Sequence, residues 1–471
     1  MITKFIKGLI KRQQKPKVTS AKSANTPKRI SKKTHRIDPH LLSKNAVKVT
    51  HVLQQAGFSA FIVGGAVRDL VLGISPKDFD VATNATPEEV QKLFRKSRLI
   101  GRRFQIVHVT FFGKERPEII EVSTFRAMLD HVGEHVAESG RILRDNVWGT
   151  QAEDAERRDF SINAMYYDPA SETVYDYHGG MHDMQKKTLR MIGEPSKRYR
   201  EDPIRMLRAI RFAAKTGFTL DPDTRAPIAD LADLIHDVPS ARLFDEILKL
   251  LMSGHSWPAI EGLRAAGLHH GLLPLLDKAL DGDSASGTGT EFIKLSLSNT
   301  DERIQAGKGV SAGFLFASLL WPDLTQNWRR NLAGGMANVP ALHAAMDDTV
   351  TSQNSGVTIQ RRFEADMREI WTMQPRFEKR LGRFPHRLIE SSRFRAGYDF
   401  MLLRCSTGEL PSALGYWWTQ FIDADVSARE ELIALAKEED LKNGTATKLV
   451  TKRRRRKSKG ASSPNAEDLK T

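Results

Sequence analysis

Phe61-Ile-Val-Gly-Gly-Ala-Val-Arg-Asp-Leu-Val-Leu-Gly73, followed at once by Lys77-Asp-Phe-Asp-Val-Ala-Thr83, decides the fold of this chain. The apolar run Phe61 to Val63 reads as a buried strand, Gly64-Gly65 as a sharp turn, and Ala66 to Leu72 has helical spacing. Two residues without Cβ let a ligand touch the main chain, and the helix N-terminus beyond them offers unpaired N–H groups to an anion. Asp78 and Asp80 lie two apart around Phe79. On a strand such positions share a face, so the spacing predicts both carboxylates projecting together.

Two carboxylates on one face repel unless a cation lies between them. Hard oxygen ligands suit Mg²⁺, which takes one or two protein carboxylates and completes its shell with water and substrate phosphate. A pair of such ions activates an attacking hydroxyl and stabilises a departing pyrophosphate. Read alone, Asp-x-Asp is more often a strand cap in a solvated turn than a metal site. The Gly-Gly-x-x-Arg-Asp run upstream changes the weighing, because it sets a phosphate cradle and a cation, Arg68, beside the acids.

Together, Gly64-Gly65-Ala66-Val67-Arg68-Asp69 and Asp78-Phe79-Asp80 resemble the head domain of the class II template-independent nucleotidyltransferases. That family comprises the bacterial poly(A) polymerases and the CCA-adding enzymes, which share a polymerase-β-like fold. The resemblance implies an α+β protein: a nucleotidyltransferase head with a small mixed sheet, then all-α neck and body domains, with disordered basic termini. The expected divisions are a basic arm over 1–37, the head over 38–187, the neck over 188–260, the body over 261–441 and a basic tail over 442–471.

Composition agrees with a polyanionic partner. Among 471 residues, 72 Lys and Arg face 57 Asp and Glu, a net charge of +15 that favours nucleic acid or an acidic membrane surface. The hydrophobic share of 40% is ordinary for a globular protein, and the length allows more than one domain. The single cysteine, Cys405, excludes an internal disulfide and fits a reducing cytoplasm. No apolar run is long enough for a membrane span.

Met1 to Ile37 holds no acid and many cations, and reads as a disordered arm that clings to RNA; contact with an anionic lipid surface and an organellar transit peptide are the competing readings. Asp38-Pro39 marks entry to a helix running to about Gln55, with Leu42, Ala46, Val49 and Leu53 on one face. Thr86-Pro-Glu-Glu opens another helix. A strand from Phe104 to Phe112 and a second over Glu118 to Phe125 form a hairpin across a Gly113 to Pro117 turn. Glu121 in that second strand is either a third carboxylate beside the aspartates or the partner of a strand-edge salt bridge to Arg126. His131 and His135 have a zinc-like spacing without the supporting helix pattern, so Phe125 to Gly149 reads as a loop.

Arg157-Arg158-Asp159-Phe-Ser-Ile-Asn-Ala164 read alone is a charged helix start; it resembles the family's Arg-Arg-Asp-Phe-Thr-Ile-Asn-Ala motif, with Ser161 in place of Thr. The resemblance implies that Arg157 and Arg158 contact nucleotide phosphate or sugar and that Asp159 belongs to the catalytic acids with Asp78 and Asp80. Asp176 to Asp183, with paired glycines, resembles the hinge between head and neck. Arg200-Glu-Asp-Pro-Ile-Arg-Met-Leu-Arg208 reads as one helix in which Glu201, Asp202, Arg205 and Arg208 share a side. Alone this is an ion-pair ladder; by resemblance Glu201, Asp202, Arg205 and Arg208 are the residues that recognise the base. A carboxylate accepts from an exocyclic amine while an arginine donates to ring acceptors.

From Ala213 to about Leu441 the periodicity is helical, and most of its Trp, Phe and Met read as core. Arg361, Arg362, Arg393 and Arg395 read as RNA contacts, as do Arg102 and Arg103 in the head and the tail cations Arg453, Arg454, Arg455 and Arg456. Leu99-Ile-Gly-Arg-Arg-Phe-Gln-Ile-Val-His108 has Gln105 where CCA-adding relatives usually have glycine, so the resemblance is sharper to the poly(A) polymerase branch. It implies addition of AMP from ATP to RNA 3′ ends, with two Mg²⁺ ions on Asp78 and Asp80 and the triphosphate held by Gly64, Gly65, Arg68, Arg157 and Arg158. The implied partners are RNA 3′ ends, ATP and RNA-decay proteins, for a monomer in the bacterial cytoplasm. CCA addition to tRNA and a non-catalytic RNA-binding protein are the alternatives.

Overall fold

The computed structural model describes residues 26–101, 105–113, 117–127, 148–281 and 287–442. The chain forms two compact units, Met1–Ala365 and Asp366–Thr471. The first contains a mixed sheet whose strands are β1 (Lys28–Ser31), β2 (Ala60–Val63), β3 (Asp80–Thr83), β4 (Ser97–Ile100), β5 (Ile106–Phe111), β6 (Glu118–Thr124), β7 (Met165–Asp168) and β8 (Thr173–Asp176). Their order across the sheet is β1-β8-β7-β2-β3-β6-β5-β4. β3 and β6 run parallel, and the other neighbours run antiparallel.

The expected basic arm to Ile37 is corrected at its C-terminal end. Lys28–Ser31 is an edge strand paired with Thr173–Asp176, and α1 (Lys32–His35) follows it. Ile30, His35 and Ile37 are buried, so three non-basic or neutral-capable side chains anchor a segment whose composition reads as unfolded. The arm's residues before 26 lie outside the described part of the chain.

α2 spans Lys44–Gln55, starting later than Asp38-Pro39. Pro39 opens only a single 3₁₀ turn, Leu42 is extended, and Ser43 accepts from the N–H groups of Asn45 and Ala46, so the true cap is Ser43. Ala46, Val49 and Leu53 are the buried face. The glycine turn leads into α3 (Gly65–Val71), and Thr86 closes a capping box with Glu89 at the start of α4 (Pro87–Leu93). A second capping box, Thr150 with Glu153, starts α5 (Gln151–Glu156). The expected hairpin is present as β5 and β6.

Gly179-Gly180 forms a packed turn into α6 (Gly180–Lys186). The buried Asp176 carboxylate accepts from the N–H groups of His178, Gly180 and Met181. A Cβ at Gly180 would lie 2.4 Å from the Ser161 carbonyl, so only glycine fits there. The single helix expected across Arg200 to Arg208 is two: α7 (Pro195–Glu201) and α8 (Ile204–Thr216). Pro203 disfavours helical backbone at Asp202, which is extended at φ −151° and ψ 93°.

Beyond α8 the described chain is almost wholly helical, including Ser240–Leu251, Ala312–Leu319 and Asn338–Gln353. In the second unit Phe377, Met401, Trp417, Trp418 and Phe421 form the core, and the Trp418 indole donates to the Phe377 carbonyl at 2.9 Å. These aromatics are core, as the helical periodicity predicts. No described helix is long and apolar enough to cross a membrane.

Because Ile30 is 4% exposed within β1, Ile30→Ala should destabilise the first unit by about 3 kcal/mol in urea unfolding. An unchanged midpoint would show that this strand does not belong to the folded sheet.

Candidate active site

β2 ends at Val63, directly opposite Asp80 at the start of β3, and the chain then turns at Gly64. Gly64 has φ 70° and ψ −135°, a conformation that an L side chain resists. A Cβ there would stand 3.5 Å from Arg158 Nη1 and 3.8 Å from Asp80 Oδ2. The glycine bend, the second aspartate and an arginine of the Arg-Arg-Asp motif therefore meet at one point. Asp78 precedes β3 and is exposed, while Phe79 between the acids is 6% exposed, so the two carboxylates share the open side.

β6 pairs with β3 so that Glu121 is level with Asp80, and β5 sets His108 level with Glu121. Among the described residues Glu121 pairs with His108, at 3.3 Å, rather than with Arg126; Arg126 is buried, and its backbone N–H donates to Asp154. Burial first, then the negative charges of Glu121 and Asp78, push the Asp80 carboxyl up to about 6 against the pull of Arg158. A group of acids that suppress one another's ionisation is what a bound divalent cation relieves. Among the described residues no cluster of three or more His, Cys, Asp and Glu forms a closed metal cage. The Asp78–Asp80 pair nevertheless fits Mg²⁺, which needs only one or two protein carboxylates.

Asp159 has a different environment. Its Oδ1 accepts from the Phe160 N–H at 2.8 Å and Asn163 Nδ2 at 3.2 Å, and its Oδ2 from Arg208 Nε at 2.8 Å. Burial alone would raise it, but Arg208 and these donors outweigh burial and hold its carboxyl down to about 2. Both oxygens are engaged, so Asp159 orders its neighbours. Arg208 correspondingly faces Asp159. Asn163 also accepts from Arg68 Nη1 at 2.8 Å, and Arg68 bonds Asp69 through Nε at 2.8 Å, so a polar chain runs along the cleft floor.

Asp154 is the organiser that sequence reading missed. It is 1% exposed; Arg157 Nε donates to Oδ1 at 3.0 Å, and Arg158 Nη2 and the Tyr166 hydroxyl donate to Oδ2 at 3.0 and 2.7 Å. Burial raises its carboxyl, and the two guanidiniums and the tyrosine hydroxyl more than reverse that. The i,i+3 and i,i+4 spacing to both arginines is a signal that could have found it. Tyr166 and Arg198, which come from a later strand and helix, carry no such signal.

Arg198 Nη2 donates to the carbonyls of Arg157 and Arg158, each at 2.7 Å, joining α7 to the arginine pair. Arg198 Nη1 donates to Glu201 at 2.9 Å, and Arg205 Nη1 donates to the same carboxylate at 3.1 Å and to the Arg198 carbonyl at 2.8 Å. Glu201 thus holds Arg205, while Asp202 and Arg205 line the cleft with Arg208. The backbone break at Asp202 turns that carboxylate away from the Glu201 row. Arg242 donates to its Oδ2 at 2.9 Å, and its Oδ1 is buried with no hydrogen-bond partner among the described residues. The cleft encloses about 600 Å³ and brings together Gly64, Gly65, Arg68, Asp78, Asp80, Arg157, Arg158, Asp159, Asp202, Arg205 and Arg208, with Lys77, Lys215 and Arg242 besides.

The predicted RNA contacts are spread along the chain. Arg361 and Arg362 are exposed at the start of the helix Arg361–Phe377. Arg393 pairs with Asp366 at 2.6 Å, and Arg395 pairs with Asp399 at 3.0 Å while remaining exposed. Arg102, Arg103, Arg453, Arg454, Arg455 and Arg456, with His131 and His135, lie outside the described residues.

Comparison with known proteins identifies the family. Residues 60–190 match the family model "Poly A polymerase head domain", 217–280 match "Probable RNA and SrmB- binding site of polymerase A", and 334–460 match "Polymerase A arginine-rich C-terminus". Poly(A) polymerase I of Salmonella typhi is 43% identical over 403 residues, covering 83% of this chain and 85% of the relative. The Haemophilus influenzae enzyme of that name is 42% identical over 84% of this chain and 88% of its own length. The CCA-adding enzyme of Bacillus subtilis is 35% identical, over 55% of this chain and 61% of the relative. Among solved structures, the Bacillus stearothermophilus CCA-adding enzyme in complex with CTP superposes with a TM-score of 0.52 at 24% identity, covering 87% of this chain and 94% of that one, which establishes a shared fold.

Two outcomes follow from the geometry. Gly64→Ala forces an alanine into a glycine-only backbone at a cost of about 1–3 kcal/mol, and should abolish nucleotide binding in a fluorescence titration while the protein remains folded. Asp159 has a depressed carboxyl, so its contribution to stability is complete above about pH 4 and is lost as pH falls toward about 2. Unfolding of wild type and Asp159→Asn should accordingly differ most near neutrality and converge in acid; a gap that persists at pH 2 would show that the ion pair is not its source.

Proposed function

This chain belongs to the bacterial poly(A) polymerase I family, and from that premise we propose that the acid-lined cleft is where it adds adenylate to RNA 3′ ends without a template. The observation that carries the reading is the meeting of Asp80, the Gly64 turn and Arg158 at one end of a cleft whose lining also includes Asp202 and Arg205. Phosphate-binding and base-reading groups thus line a single cavity.

In the reaction the RNA 3′-oxygen attacks the α-phosphorus of ATP; the new P–O bond forms as the bond to pyrophosphate breaks. Asp78 and Asp80 would hold Mg²⁺, two ions in our reading, and when bound the metal supplies activation of the hydroxyl and neutralisation of the leaving charge. The backbone of the Gly64-Gly65 turn and the guanidiniums of Arg157 and Arg158 hold the triphosphate, with Asp154 keeping both arginines from swinging. Arg68, buried against Asp69 and Asn163, supports the turn from beneath. Glu121 stands level with Asp80 and is the better placed third acid; Asp159 fixes Arg208 and Asn163.

For the base, Asp202, which lines the cleft beside Arg205, is the carboxylate acceptor for the exocyclic amine of adenine, and Arg205 is a donor to the ring. A base without that amine would leave that acceptor unsatisfied, a discrimination of several kcal/mol in favourable cases. Glu201 is assigned to holding Arg205. RNA is the partner, and the single buried thiol, Cys405, accords with action in the cytoplasm.

The test is incubation with unstructured RNA, Mg²⁺ and each nucleoside triphosphate separately. Long tails with ATP alone are expected; addition limited to C, C and A on tRNA would favour the more distant CCA-adding relatives. Asp80→Ala should lower AMP incorporation at least about a thousandfold, several kcal/mol of barrier, with RNA affinity largely kept. Equal loss of both would remove Asp80 from the catalytic set.

A further inference from the structure

The sheet has a second side. Glu121 and His108 stand in register with Asp80, so their row lies on the same face of the sheet as that acid, and the alternate residues of β5, Val107, Val109 and Phe111, face the other way. On that opposite face α2, the end of α4 with the chain after it, and β5 with its C-terminal extension enclose a separate cavity of about 580 Å³. Its chemistry is distinctive. Phe111 and Phe112 line it, and Phe112 is 69% exposed, unusual for a large apolar ring. Lys48, from α2, lies 5.9 Å from the Phe111 ring centre, and Lys96 lies 4.8 Å from that of Phe112.

Three exposed cations, Lys48, Arg95 and Lys96, line this groove, and among the described residues none pairs with a carboxylate. Among the described residues the one acid in the lining is Glu118, and Ser43 Oγ and Asn45 Nδ2 each donate to it at 2.5 Å. With three cations against this one carboxylate the described lining carries net positive charge, and Phe112 leaves most of its ring exposed beside Lys96. Bases stack on aromatic rings regardless of sequence while phosphates need cations, and that combination matches single-stranded nucleic acid better than an apolar helix or an acidic peptide.

We propose that this groove is an auxiliary binding site for single-stranded RNA, which holds a part of the substrate strand away from the catalytic cleft. A base stacks on Phe112, and the flanking phosphates are met by Lys48 on α2 and by Arg95 and Lys96 after α4. The cations come from separate elements, an arrangement that suits a strand with phosphates on both sides of a stacked base. The site rests on RNA being the polymer this chain elongates. It makes affinity depend on strand length, because only an RNA long enough to leave the cleft reaches the other face of the sheet.

The full chain is tested as wild type, Phe112→Ala and the double variant Lys48→Ala/Lys96→Ala, none of which alters a cleft residue. Binding of long unstructured oligo(A) should weaken about tenfold for Phe112→Ala, and the salt dependence of log affinity should fall by about 0.7 for each cation removed. Elongation of a short primer should be unchanged. Long RNA carrying 4-thiouridine should cross-link to a peptide containing Phe111 and Phe112, and millimolar ATP should not compete. Unchanged affinity and salt slope for long RNA would overturn the site and leave the groove to a protein partner. Cross-links displaced by free ATP would make it a mononucleotide site and equally overturn it. A wild-type protein that fails to elongate any primer would instead sink the catalytic assignment, whatever the groove binds.

Discussion

Electrostatic repulsion between carboxylates at the mouth of β3 is the constraint on which the cleft depends. Strand pairing places Glu121 level with Asp80, and the buried Phe79 leaves Asp78 on the open side. Burial and these neighbours raise the Asp80 carboxyl to about 6. A fold that holds acids in this way is less stable than one that separates them, unless a cation or substrate arrives to offset the charge. The sheet can impose the arrangement because its register is set by the buried rows on either side of the acids.

The opposite charge is managed with equal care. Buried carboxylates restrain many of the arginines around the cleft: Asp154 restrains Arg157 and Arg158, Asp159 restrains Arg208, and Glu246 restrains Arg211. Breaking such a pair is expensive, because a charge would be left buried alone. The guanidiniums are therefore held in place before any anion enters, and less rotamer freedom remains to be lost on binding. Arg198 extends the same logic between elements, tying the carbonyls of the arginine pair to α7 and, through Glu201, to Arg205. Phosphate-binding and base-reading parts of the proposed site are thus mechanically joined.

The cleft and the proposed RNA groove lie on opposite faces of one sheet, and alternation along β5 separates them. His108 belongs to the acidic row, and Val109 and Phe111 belong to the other. One strand of six residues, Ile106–Phe111, contributes to two surfaces of different chemistry without either disturbing the other.

The local pattern was enough to read the strand–glycine turn–helix unit, the shared side of Asp78 and Asp80, the β5–β6 hairpin, the helix that opens at Thr86-Pro87 and the helical second half, because each is governed by neighbours within a few residues. Composition misled over Lys28 to Ile37, where pairing with β8 overrides a basic, unfolded-looking sequence. Helical spacing misled at Glu201 to Arg205, where Pro203 breaks the helix and turns Asp202 toward the cleft while Glu201 stays behind Arg205. Glu121 against Asp159, Asp154 beneath the arginines and Arg242 on Asp202 are matters of tertiary structure alone. Each depends on which distant strand or helix arrives beside the site, and burial and charge across those contacts, which no local spacing encodes, determine what every carboxylate is free to do.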